Sequence, residues 1–202
     1  MESILKAKNV TKDYGQEKVV KGISLAIYKD TFVTVLGSSG SGKSTLLNTL
    51  SGLICPSAGT VQYEDKIITD FSEVQLANWK RAEVGNVFQN YLLLNNLTAE
   101  ENIKIGIGLG KPPLAFGRLT RILEIDGILD RFPAQLSGGQ QRVAIARAVI
   151  KGPRLLFCDE ATGSLDEANS KKVVGLLHRT MPFAAISLCL RQFFLLLGQY
   201  WD

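Results

Sequence analysis

The segment Gly37-Ser38-Ser39-Gly40-Ser41-Gly42-Lys43-Ser44 constrains this chain more than any other. Three glycines within six residues permit a tight curl that residues with a Cβ resist. Immediately before it, residues 32–36 (Phe-Val-Thr-Val-Leu) have the apolar, β-branched character of a short buried strand. After it, Leu46, Leu50 and Leu53 recur at i, i+4 and i+7, which predicts a helix over residues 43–53. A strand that enters a helix through a glycine loop is the opening unit of an α/β fold.

The loop matches G-x-x-x-x-G-K-[ST], in the strand-to-helix context its chemistry needs. Curling turns the successive N–H groups of Gly37, Ser38, Ser39, Gly40, Ser41 and Gly42 toward one point, where the β-phosphate of a nucleotide fits. Lys43 then reaches the β- and γ-phosphates, and Ser44 offers a hydroxyl to Mg²⁺. A flexible Gly/Ser turn would share the composition but would need neither the strand before it nor the helix after it.

Asp159-Glu160 forms a second chemical element, directly after the wholly apolar run 155–158. Such a run is expected of a central parallel strand that presents acids at its C-terminal edge. There Asp159 can hold Mg²⁺ through water, and Glu160 can act as base for an attacking water. Solvated strand ends carry paired acids often, so the pair gains its weight from the loop upstream.

Along the rest of the chain, residues 4–10 and 19–28 read as strands, with Asp13 and Gly15 turning between them and Lys29-Asp30 ahead of the third strand. A small hairpin is expected from 60–63 and 66–69 around Glu64-Asp65, then a helix over 73–80 and a strand over 84–88. From about residue 90 the pattern becomes helical. Thr98-Ala99-Glu100-Glu101 is a capping box that starts a helix, and Gly106, Gly108, Gly110, Pro112 and Pro113 stop it. In 137–150, Val143, Ala146 and Ile150 share a stripe flanked by Arg142 and Arg147.

Composition excludes several classes. A chain of 202 residues with 46% hydrophobic and 21% charged residues is an ordinary globular protein, neither disordered nor a disulfide-stapled mini-protein. A net charge of +4 without a run of one sign gives no argument for a nucleic-acid partner. Cys55, Cys158 and Cys189 are odd in number and lack metal spacing, which fits a reducing, cytosolic compartment. The first fifteen residues lack the apolar core of an export signal. Residues 181–197 are largely apolar but short for a membrane span and interrupted by Arg191 and Gln192, so a buried strand is the expectation.

The decisive element is Leu136-Ser137-Gly138-Gly139-Gln140. A second Ser/Gly helix start can bind another anion, and one chain cannot easily bring both to one nucleotide, so a dimer is implied. With the loop upstream and the acidic strand downstream, residues 1 to about 180 resemble the nucleotide-binding domain of ABC transporters. The resemblance implies ATP and Mg²⁺ as ligands, with Ser137, Gly138, Gly139 and Gln140 of one protomer closing on the ATP held by the other.

It further implies that Tyr14 stacks on adenine and that Thr45, beside Ser44, belongs to the nucleotide contacts. Gln89, in Val87-Phe88-Gln89-Asn90, resembles the glutamine that senses Mg²⁺ and a transmembrane partner; Asp166, in Ser164-Leu165-Asp166, resembles the acid at the dimer seam. As plain local chemistry, Tyr14 is also a turn residue, Gln89 a polar strand end and Asp166 a helix N-cap. The implied fold is α/β: a P-loop NTPase core with a central, mainly parallel sheet, an N-terminal antiparallel β-subdomain, and a helical insertion at about 90–150, in one domain over 1–202. The implied partners are a second copy of the chain and a membrane permease, which alone would hold it at the cytoplasmic face of the membrane. Wording such as Leu93-Leu94-Asn95-Asn96-Leu97-Thr98-Ala99-Glu100-Glu101-Asn102 is similar to the ATPases of lipoprotein-release, macrolide-export and antimicrobial-peptide-export systems.

Three departures stand out. Only Gln141 separates Gln140 from Arg142-Val143, where the family usually has two residues, and Ala161 stands where proline is usual. One deleted residue would turn the following helix by about 100° unless the preceding loop absorbs it. The family also places a histidine some thirty residues beyond the glutamate, whereas the one histidine here, His178, comes too early, and Arg191, Gln192, Phe193 and Phe194 occupy the expected region. Residues 181–202 thus look foreign to the family, and a nucleotide-binding but hydrolysis-deficient protein is the alternative function.

Overall fold

The structure is a computed structural model that describes residues 2–29, 31–107, 115–159 and 184–188, with Phe32 and 184–188 described by backbone alone. In chain order its strands are β1 (Ser3–Tyr14), β2 (Glu17–Tyr28), β3 (Phe32–Val35), β4 (Ala58–Tyr63), β5 (Lys66–Ile67), β6 (Val84–Val87), β7 (Leu155–Cys158) and β8 (Ala184–Leu188). The α-helices are α1 (Lys43–Leu50), α2 (Glu73–Glu83), α3 (Ala99–Lys104), α4 (Phe116–Ile122) and α5 (Gln140–Val149).

Two sheets form. β1 and β2 pair antiparallel about a turn at Gly15, and β4 joins the other edge of β1 and folds back on β5, giving the order β2-β1-β4-β5. The second sheet has the order β3-β8-β7-β6, and all its pairings are parallel. β7 is apolar throughout because both its faces are covered. Leu155 and Phe157 pack with the antiparallel sheet, α1 and Trp79 of α2, whereas Leu156 and Cys158 pack with α3, α4 and α5. β6 lies so close beneath α5 that a Cβ on Gly85 would stand 2.7 Å from the Ala148 carbonyl oxygen.

The helical insertion takes the place expected for it, and its first helix starts where the capping box predicts. Thr98 Oγ1 accepts from the Glu101 N–H at 3.3 Å, and Glu101 Oε2 accepts from the Thr98 N–H at 2.8 Å. α3 ends at Lys104, ahead of Gly106, while Gly108, Gly110, Pro112 and Pro113 lie outside the described residues.

Several boundaries differ from the sequence expectation. α1 stops at Leu50 rather than 53, because Gly52 adopts a left-handed φ of 69° and closes the helix: its N–H bonds Thr49 O at 3.2 Å and the Leu53 N–H bonds Asn48 O at 2.8 Å. Leu53, counted as the third residue of the helical stripe, is instead 40% exposed. β5 ends at Ile67, with residues 68–70 forming a 3-10 turn, and α2 continues three residues past Lys80 to Glu83.

The tail is also corrected in part. Residues 184–188, foreign in composition, form a strand paired on both edges, with β3 and with β7. The apolar segment therefore contributes an interior strand to the parallel sheet, as expected of 181–197 read as a strand; the remainder of the segment lies outside the described residues.

Candidate nucleotide-binding site

The glycine loop sits between β3 and α1, against the start of β2. Gly42, the N-cap of α1, has φ 86°, and a Cβ there would stand 2.6 Å from the Val19 carbonyl oxygen. Neither the backbone angle nor the space admits a side chain. Gly40 also has a left-handed φ, 75°, but faces open space. Gly42, as N-cap, brings no side chain to the first N–H groups of α1, and residues 37–41 are exposed, the arrangement in which backbone donors at a helix start can meet a ligand. The Lys43 ammonium folds back across the loop and donates to the carbonyl oxygens of Gly37 at 3.0 Å and Ser38 at 2.6 Å. A cation and a fan of backbone donors thus share one exposed cradle, which is the chemistry of a polyphosphate site.

Tertiary folding adds the acid. Ser44 Oγ donates to Asp159 Oδ1 at 3.2 Å, and the Asp159 N–H continues the β6–β7 ladder by bonding Val87 O at 2.8 Å. A hydroxyl and a carboxylate side by side are hard oxygen donors that fit Mg²⁺. Among the described residues no group of three or more His, Cys, Asp or Glu side chains could hold a metal alone. Thr45 is partly buried in the first turn of α1.

Gln89 lies in the turn after β6, beside the end of β7 that carries Asp159. The turn closes through the Tyr91 N–H bonded to Phe88 O at 2.9 Å. Tyr91 and Leu92 then adopt left-handed φ values of 58° and 46°, which costs about 1–2 kcal/mol for each residue. Two side chains that the sequence did not single out for this purpose hold the segment. Arg147 of α5 donates to the carbonyls of Tyr91 at 2.6 Å and Leu92 at 2.7 Å. Asn102 of α3, fully buried, accepts from the Leu94 N–H and donates to Leu94, Leu97 and Thr98 carbonyls. The signal available in the sequence was a buried-type position occupied by a multivalent polar group, Asn102 in the first helix of the insertion and Arg147 in α5.

Leu136–Gln140, the signature by which the chain resembles the family, lies at the other end of α5. The helix begins at Gln140, not at Ser137; Gly139 caps it, and Ser137 and Gly138 stand exposed ahead of it, with Gly138 at φ 73°. Leu136 is buried in the insertion core, a Cβ on Gly139 would stand 2.7 Å from Ile128 Cδ1, and Gln140 Nε2 donates to Pro133 O at 2.8 Å. Val143, Ala146 and Ile150 are fully buried, so the predicted stripe faces the core. Gly139 and Gln140 therefore pack on the insertion, with Ser137 and Gly138 exposed ahead of them, whereas the phosphate loop meets β2 at Val19 and the end of β7 at Asp159.

Tyr14 ends β1 opposite Glu17, two residues before the Val19 that touches Gly42. Tyr14 is 50% exposed, with the Lys12 ammonium 5.3 Å from its ring centroid. Glu160, Ala161, Asp166, His178 and the stretch 191–194 lie outside the described residues.

A glycine cradle with its lysine, closed by a serine–aspartate pair at the C-terminal edge of a parallel sheet, defines a P-loop nucleotide-binding protein. Residues 20–163 match the ABC transporter family. The lipoprotein-releasing system ATP-binding protein of Aquifex aeolicus is 44% identical over 87% of this chain and 81% of its own. The bacitracin export ATP-binding protein of Halalkalibacterium halodurans is 38% identical over 88% of this chain and 74% of its own. The macrolide export ATP-binding/permease protein of Marinobacter nauticus is 42% identical over 86% of this chain, which spans 29% of that longer protein. Among solved structures, the dimeric post-hydrolysis state of the ATP-binding cassette MJ0796, bound to ADP and Pi, superposes with a TM-score of 0.82 at 33% identity, covering 91% of this chain and 87% of that one. The chain belongs to the ABC transporter family and carries its ATPase cassette.

Proposed function

We propose that the chain binds MgATP at the loop Gly37–Ser44, closes as a homodimer on two nucleotides, and drives a separate membrane permease of the lipoprotein-release or export type from the cytoplasmic face. The observation that carries this is the Ser44–Asp159 contact at 3.2 Å, which joins the phosphate loop to the acidic strand end across 115 residues of sequence. Ser44 and Asp159 would hold Mg²⁺, and the cation would neutralise phosphate charge when bound. Lys43 and the loop N–H groups bind the phosphates, Thr45 supports the same turn, and Tyr14 supplies an exposed ring for the base. Gln89 positions water beside the γ-phosphate, and Glu160 takes its proton.

Exposure of Ser137 and Gly138 away from the chain's own phosphate loop supports closure on a partner's nucleotide, with Asp166 at the seam. This agrees with the dimeric cassette to which the fold is similar. Among the described residues no helix is long and apolar enough to cross a membrane, and a permease would supply the membrane contact. A groove of about 470 Å³ beside Phe88, next to Gln89, suits a permease segment: Leu53, Leu92, Ile105 and Ile107 line it at 40–56% exposure, and Lys80 and Arg81 add positive charge.

Glu160→Gln tests the reading. This variant retains ATP, loses turnover, and with cysteines placed at Ser39 and Ser137 gives an ATP-dependent crosslink between two chains. Absence of that crosslink in both forms sinks the dimer, and undiminished turnover in Glu160→Gln removes the base.

A further inference from the structure

The segment directly after the Gln89 turn is held by α5, the helix that Leu136–Gln140 leads into. Arg147 lies two turns along α5 from Gln140, and its two terminal nitrogens each take one carbonyl, Leu92 O at 2.7 Å and Tyr91 O at 2.6 Å. Those carbonyls belong to the two consecutive non-glycine residues with left-handed φ, 58° and 46°, directly after the turn Phe88-Gln89-Asn90-Tyr91. Backbone in that region persists where the surroundings over-determine it. The planar guanidinium fork supplies two bonds at a fixed spacing, which an ammonium does not. Arg147 is itself partly buried, and its neighbours Ala146 and Ala148 are buried in the core, so the fork is anchored on a packed helix. α3 adds a second constraint close by: a Cβ on Gly106 would stand 2.1 Å from the Arg147 carbonyl oxygen, so the backbone at the end of α3 rests on α5 at this residue.

We propose that Arg147 is a positioning residue that ties Gln89 to the signature helix, so that the placement of Gln89 at the γ-phosphate follows the placement of α5. Docking of the exposed Ser137-Gly138 end of α5 against a partner's nucleotide is then transmitted along the helix to the turn carrying Gln89. Arg147 also lines the groove beside Phe88, so a segment seated there meets the same guanidinium. The inference rests on the proposed role of Gln89 and adds the residue that places it.

Hydrogen exchange and steady-state kinetics on the full chain test this, with Arg147→Ala, Arg147→Lys, Gln89→Ala and the double variant Arg147→Ala/Gln89→Ala. Without nucleotide, amides of residues 88–92 exchange at least tenfold faster in Arg147→Ala, and Lys restores little of the protection. With MgATP, residues 37–45 are protected in every variant and the KM for ATP stays within about twofold, while kcat falls about tenfold in Arg147→Ala. In the Gln89→Ala background the same substitution lowers kcat no further. Unchanged exchange at 88–92 in Arg147→Ala overturns the tie, and losses that multiply in the double variant overturn the positioning role, leaving Arg147 as a support of the fold alone. Failure of the site reading shows separately, as absence of MgATP protection at 37–45 in the unmodified chain.

Discussion

Ser44 and Asp159, separated by 115 positions, meet through a 3.2 Å hydrogen bond at the point where the phosphate loop faces the parallel sheet. One residue comes from the first turn of α1 and the other from the residue after β7. Each is anchored by its own element, Asp159 through the 2.8 Å bond of its N–H to Val87 O. Their spacing is thus fixed by the sheet rather than by either loop, and a divalent cation would meet two pre-placed oxygens.

Lys43→Ala lowers ATP affinity at least tenfold, since a hydrogen bond from a charged donor contributes about 1.5–3 kcal/mol. The fold survives, because among the described residues the lysine bonds carbonyls of its own loop. Nucleotide titration beside a melting curve checks both halves, and unchanged affinity removes the phosphate assignment.

Gly40→Ala and Gly42→Ala separate strain from crowding. Both glycines have left-handed φ, which costs an alanine about 1–2 kcal/mol, but only Gly42 faces a carbonyl oxygen 2.6 Å from the new Cβ. Gly42→Ala therefore lowers the melting temperature more than Gly40→Ala does, and it also displaces the start of α1 from the start of β2.

Asn102→Leu destabilises the insertion by roughly 3 kcal/mol, because it strands the Leu94 N–H and several carbonyls that the buried amide satisfies. A lower urea midpoint with an unchanged denaturant slope is the expected result.

Cys55 and Cys158 differ in reactivity. Burial, and secondarily the Asp159 charge, push the Cys158 thiol up to about 12, whereas Cys55 is exposed. Iodoacetamide at pH 8 modifies Cys55 in the folded chain and reaches Cys158 only after denaturation, as peptide mapping would show.

Turnover by the purified chain is slow. No histidine stands in the stretch where the family places the group opposite Glu160, and loss of one transition-state hydrogen bond lowers a rate about 100-fold. Turnover equal to that of a histidine-bearing relative, abolished by Glu160→Gln, would show that the histidine is dispensable in this chain.

Features that depend on neighbours along the chain could be read before any fold was in view. The glycine loop with Lys43 and Ser44, the Thr98–Glu101 capping box and the apolar run 155–158 were all legible, because left-handed φ, reciprocal capping and burial on both faces leave local marks. Even the end of α1 was written there in Gly52, although the leucine stripe through Leu53 outweighed it. Long-range packing places 184–188 between β3 and β7, brings Ser44 to Asp159, and sets Arg147 on the backbone after Gln89. Apolar strands of similar length carry no mark of which neighbour they will pair with, and a polar side chain on a helix does not name a carbonyl 55 or 56 residues away. Those choices follow from packing all the elements at once, since each contact becomes favourable only when the others have brought its partners together.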